Sequence, residues 1–181
     1  MRSLPLLLAL TACAPQWTTI QRSGPPSALR DATRVTVAFD YSDLLVGEVP
    51  VASYMAGLET SKRAELEQVL QVMADGFLAE LIVGLPISVT PAEGPPAEGE
   101  ARVTVRFRAM ELGRYQVDRR IDSQLVTDLL WSVDGTVTEA IRTRTRVQAN
   151  ISQPTRLSRM QLVAGEAAQI AAAFFELEQT R

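Results

Sequence analysis

Histidine is absent from this 181-residue chain, and cysteine and lysine occur once each, as Cys13 and Lys62. Without histidine there is no Ser-His-Asp triad, no Cys-His pair and no histidine-ligated zinc. One thiol cannot close an intrachain disulfide. Lys62 stands among charged residues at the start of a predicted helix, where a solvated side chain is the natural reading. The chain also lacks a Gly-x-Ser-x-Gly elbow, a phosphate-cradling glycine loop and a calcium-loop pattern. No catalytic residue, metal or cofactor is therefore expected. The 18 basic residues are outnumbered by 21 acidic ones, which argues against a general nucleic-acid binder. No apolar run reaches the roughly 20 residues that a membrane-spanning helix needs.

What is present begins at the N-terminus. Met1-Arg2 gives a cationic start, Leu4 to Leu10 is apolar apart from Pro5, and Leu10-Thr11-Ala12-Cys13 follows. A large aliphatic residue, two small ones and a cysteine resemble the lipobox of bacterial lipoproteins. That resemblance implies that residues 1–12 are a signal peptide and that cleavage leaves Cys13 as the acylated first residue. The lipid bilayer is then the first partner. One acyl chain anchors only marginally, whereas two or three hold a protein durably. Ala14 stands where many Gram-negative lipoproteins retained in the inner membrane have aspartate, so the resemblance implies the periplasmic face of the outer membrane.

Residues 13–33 are expected to form the lipidated start and a flexible tether, marked by Pro15 and Ser23-Gly24-Pro25-Pro26-Ser27. Twenty flexible residues span about 25 Å, enough to lift a domain off the headgroups. Residues 34–181 are of a length for one domain. Arg34 to Tyr41 alternates as a strand, with Val35, Val37, Phe39 and Tyr41 on one face. From Ser61, read as a cap, to about Val83, Leu66, Val69, Leu70, Met73, Phe77 and Leu81 repeat at helical spacing, and Gly84-Leu85-Pro86 ends the run. A short strand at 87–90, a Pro- and Gly-rich connection at 91–100 read as a hairpin tip, and strands over 101–109, 128–138 and 142–151 follow. Asp134-Gly135 is either a tight hairpin turn or a bulge before a turn near 139–141. The second is preferred because the first demands a long return strand. A last helix covers about Leu157 to Glu178.

The order of elements predicts an α+β fold: a two-layer sandwich of a mainly antiparallel four- to five-stranded sheet with two long helices on one face. The layout loosely resembles the small α/β domains of outer-membrane assembly and transport-accessory lipoproteins. Three features bear on function. Arg102, Arg106 and Arg108, with Arg142, Arg144 and Arg146, would form one basic face if their strands are neighbours. That face would suit an anionic lipid or glycan, because guanidinium forks match oxyanions; alternatively the arginines pair with nearby carboxylates on a solvated face. Leu44, Leu45, Val46, Val49, Val51, Tyr54 and Met55 make an oily connection that is either an exposed partner patch, or a further strand or a segment packed under the first helix. Asp40 and Asp43, at the end of the first strand, could serve as a carboxylate pair, but surface aspartates starting a turn explain them more cheaply. The function expected is a membrane-anchored, non-enzymatic factor that binds an envelope protein in assembly or transport. The alternative is an anionic-ligand module working through the arginines.

Overall fold

Residues 16–94, 100–116, 119–153 and 155–181 are described by the computed structural model. Cys13 and the expected signal peptide, residues 1–12, lie outside them. In chain order the elements are β1 (Trp17–Gln21), β2 (Arg34–Asp40), β3 (Leu45–Val46), β4 (Val49–Pro50), α1 (Val51–Ala56), α2 (Thr60–Gly84) and β5 (Ser88–Pro91). After them come β6 (Ala101–Glu111), β7 (Arg114–Tyr115), β8 (Arg120–Ile121), β9 (Ser123–Val133), β10 (Thr136–Val147) and α3 (Arg156–Gln179).

The α+β class holds, but the sheet is larger than expected and mixed. Eight strands join in the order β1-β10-β9-β6-β2-β5, with β3 pairing β6 and β4 pairing β3. The antiparallel half runs from β1 to β6; β2 is parallel to both β5 and β6. Parallel neighbours need a long crossover, and α2 supplies it between β2 and β5. Because β5 and β6 flank β2 on opposite sides, the 91–100 connection is not a hairpin tip. The described residues form three helices rather than two, α1 being a short one after β4.

Alternation places Val35 and Val37 of β2, Val103, Val105 and Phe107 of β6, and Leu125, Leu129 and Trp131 of β9 on one face, all buried. Against them pack Leu66, Val69, Met73, Phe77 and Leu81 of α2 and Met160, Val163, Ala167, Ala171 and Phe174 of α3. Each fully buried aliphatic or aromatic side chain contributes roughly 1.5–3 kcal/mol, so this one interface is the main source of stability. The two long helices approach closely at Gly76, where a Cβ would stand 2.8 Å from the Gln161 carbonyl oxygen. Thr155 caps α3 by accepting from the Ser158 N–H at 3.1 Å. Ser61 is not a cap: α2 begins one residue earlier, after Glu59, without a side-chain cap.

Two local expectations are corrected. The chain turns at Asp134-Gly135, both with positive φ (50° and 76°), which is the backbone that matches the twist of a two-residue hairpin. The long return strand exists: β10 has 12 residues, and its phase is reset by a bulge between Val137 and Glu139. Residues 17–32 are also not the flexible tether expected of them. Trp17 to Gln21 form the edge strand beside β10, and the Trp17 ring stands edge-on to Phe174 with centroids 5.8 Å apart. Ser27, Leu29 and Ala32 are buried. Arg22 pairs with the fully buried Glu178 at 2.6 Å, and Gln179 donates to the Ala32 carbonyl at 3.1 Å.

Candidate functional site: an ion-paired sheet face

Both long helices lie on one side of the sheet, so the side chains that alternate with the core residues face outward. The pairing register sets them in rows. Asp40, Arg106, Asp128, Arg142 and Thr18 stand side by side on β2, β6, β9, β10 and β1. Strands β6 and β10 are therefore not neighbours. Strand β9 separates them and inserts a carboxylate between the two sets of arginines.

The charges in this row are neutralised in place. Arg142 holds Asp128 with two bonds, Nε to Oδ1 at 2.6 Å and an Nη to Oδ2 at 2.9 Å, a bidentate geometry that fits guanidinium to carboxylate. The same carboxylate lies 3.7 Å from Arg108 Nε. Asp128 raises the Arg142 pKa through that hydrogen bond and its charge. Arg106 Nε donates to Asp40 at 2.7 Å, Arg108 to Asp43 at 2.6 Å, and Arg146 to Asp122 at 2.8 Å. Arg102 lies 3.4 Å from Glu100 and also donates to Thr36 Oγ1 at 3.2 Å. The Ser42 hydroxyl and backbone N–H, followed by Arg106, hold the Asp40 carboxyl down at about 2. The N–H of Ala149 and then Arg146 lower that of Asp122.

Of the six arginines singled out in the sequence, Arg144 alone has no ion pair or hydrogen bond among the described residues. It lies beyond the end of β1, beside Gln16 and Trp17 at a groove that also contains Glu166. Burial raises the Glu166 pKa, an effect partly offset by the backbone of Arg146.

The oily connection does not form an exposed patch. Leu44 and Val46 are core residues, and Val51, Tyr54 and Met55 pack against that core. Leu45 is half-buried and pairs with Ala109 of β6, leaving Val49 as the exposed large side chain. The physical reason is that β3 adds to β6 and directs alternate residues inward. Asp40 and Asp43 do not act as a pair, since each is bound to a different arginine. Among the described residues, no group of three or more carboxylates is placed to hold a metal ion. None of their helices is long and apolar enough to cross a membrane.

The decisive residue for this face is Asp128, which sequence reasoning treated only as a strand start. Its signal was the mismatch of one acid at an outward position of a strand with Leu129 and Trp131 inward; only the register joins it to three arginines.

The chain matches no protein-family model and no curated protein. Its fold is similar to that of solved structures at low identity. The PelC dodecamer from Paraburkholderia phytofirmans is 14% identical, with a TM-score of 0.43, over 85% of this chain and 96% of that one. A structure described as an uncharacterized protein is 14% identical, with a TM-score of 0.34, over 83% and 92%.

Proposed function

We propose that this chain is a lipoprotein, held to the membrane through acylated Cys13, and that it binds an envelope protein through the uncovered face of its sheet without catalysing a reaction. The observation that carries the reading is the row from Asp40 to Arg142. Charges fixed in alternating sign across four strands, on a face that no helix among the described residues covers, give a pre-organised polar surface. Such a surface selects a partner by complementary charge and rejects others by like-charge contact. The outer membrane, on its periplasmic side, is the address that Ala14 after Cys13 supports.

The alternative, an anionic lipid or glycan held by the arginines of this face, draws less support. Five of the six already hold a carboxylate, and an incoming oxyanion must displace it.

The test places a photo-crosslinking residue at Thr104, on the uncovered face of β6, and a second at Glu176, exposed on α3. Crosslinking in intact cells should give one discrete product from position 104 and none from 176, and Arg106→Glu should reduce its yield at least tenfold. A monomer with no product at 104, or equal products at both positions, would overturn the reading. Mass analysis of the mature N-terminus checks the anchor separately: a chain not beginning at an acylated Cys13 removes it.

A further inference from the structure

The start of β1 fixes where the membrane must be. Only Ala14, Pro15 and Gln16 separate Cys13 from Trp17, so the sulfur-bearing residue lies within about 14 Å of Trp17 however the chain runs. Trp17 pairs with Thr143 and Gln21 with Ala140, so β1 enters the sheet from the side on which β10 ends at Val147. Four residues of strand cover about 13 Å, which is the distance from the level of Thr143 to that end. The N-terminus of the ordered domain and the 148–155 segment thus share one end of the molecule.

That end has the composition of a membrane-facing surface. It carries the β7–β8 hairpin, with Arg114, Arg119 and Arg120 all exposed, and the start of α3 at Arg156. Arg114, Arg119 and Arg156 line one cleft of about 370 Å³ beside Tyr54. Among the described residues beside the cleft, Glu111 accepts from the Gly113 N–H at 3.3 Å, and Glu65 pairs with Lys62 and, at 3.3 Å, with Arg156. Ile151, at the tip of the 148–155 segment, is 81% exposed. An exposed large aliphatic side chain at the same end of the molecule as several guanidinium groups suits an interface where phosphates are within reach and apolar depth lies just beyond.

We propose that the end of the domain formed by Ile151 and the Arg114–Arg119–Arg156 cleft rests on the phospholipid headgroups of the bilayer that holds Cys13. The proposal depends on acylation of Cys13 and deepens that reading: the domain stands directly on the lipid surface, with its uncovered sheet face turned sideways. The occupant is the phosphate layer of the bilayer. Reach from Cys13 selects it over a second protein, and so does the pairing of basic and aliphatic side chains.

The test uses the full acylated protein in phosphatidylethanolamine–phosphatidylglycerol vesicles that carry a headgroup-linked nitroxide lipid. A fluorescent label is attached in turn to Ile151→Cys, Ser152→Cys and Thr136→Cys. The last lies at the opposite end of β10, about 36 Å away. Quenching at 151 and 152 should exceed that at 136 at least threefold, and Arg114→Glu with Arg119→Glu should cut it by at least half. Mass analysis of the same sample reports the acyl chains. Acylated protein with equal quenching at both ends, with a label at Ile20→Cys on the edge of β1 quenched more than at 151, or with quenching unmoved by the arginine reversals, overturns the docking while leaving the anchor. A sample without acyl chains overturns both.

Discussion

At the residue scale, exposure decides which of the paired carboxylates matter. Asp128 keeps 8% of its side-chain surface and serves Arg142, Arg106's row and Arg108, whereas Asp43 keeps 53% and serves Arg108 alone. Removing this nearly buried acceptor takes the bidentate partner from Arg142 and the second carboxylate from Arg108, which keeps Asp43; the half-exposed Arg142 can turn to water, so Asp128→Ala should cost about 1 kcal/mol. Asp43→Ala, in contact with water, should change stability by less than about 0.5 kcal/mol. Urea unfolding at constant m-value measures both. Asp40 adds a pH dependence. Its carboxyl is lowered from 3.8 to about 2, first by Ser42 and then by Arg106. A depressed carboxylate contributes stability above its unfolded value, and the contribution is lost as pH falls through the folded value. Wild type should therefore exceed Asp40→Asn in stability by a constant margin above about pH 4, and the margin should close towards pH 2. A gap that persisted unchanged at the lowest pH would contradict this account.

At the element scale, glycine positions report how the elements meet. At Gly135 a Cβ would meet nothing within 4 Å, so Gly135→Ala should cost only the left-handed backbone penalty, about 1 kcal/mol. At Gly76 the backbone is ordinary helix, and the added Cβ would strike the Gln161 carbonyl at 2.8 Å. Alanine there removes helix entropy but forces α2 and α3 apart, so Gly76→Ala should cost about 1–3 kcal/mol, as overpacking does. Thermal unfolding of the two variants separates the causes. The same elements show how far the sequence could be read. The two long helices and β2 were legible because their apolar periods are unbroken. The hairpin at Asp134-Gly135 was visible but discounted, because the strand after it loses its alternation at the Val137–Glu139 bulge. Strand β1 was not legible, since Trp-Thr-Thr-Ile-Gln has one inward anchor and an otherwise exposed surface. Edge strands are held by backbone pairing, which leaves no hydrophobic pattern. The six arginines were legible as a face, but their partners were not, because register joins residues as far apart as Asp40 and Arg106.

At the scale of the whole molecule, the N-terminal strap from Trp17 to Ala32 would couple the proposed anchor at Cys13 to the domain, and its fastening can be tested. Two buried carboxylates hold it. Glu139 accepts from Ser27 at 3.0 Å and also from Ser23 and Thr138; Glu178 joins Arg22 and Arg181, each at 2.6 Å. Arg22 and Arg181 retain some exposure, so after Glu178→Ala both can turn to water, and the loss should be about 2 kcal/mol rather than the larger cost of stranding a buried charge. That loss falls on the strap alone if β1 and residues 22–32 open as one unit while the helices stay packed. Trypsin should then cleave Glu178→Ala at Arg22 or Arg30 at least tenfold faster than wild type, with cleavage inside α2 and α3 unchanged. A uniform rise at every site would mean that the strap and the core unfold together. Confinement to the strap would mean that tension applied from the N-terminus, as the proposed anchor would apply it, pulls first on β1 and Glu178, leaving the sheet face intact.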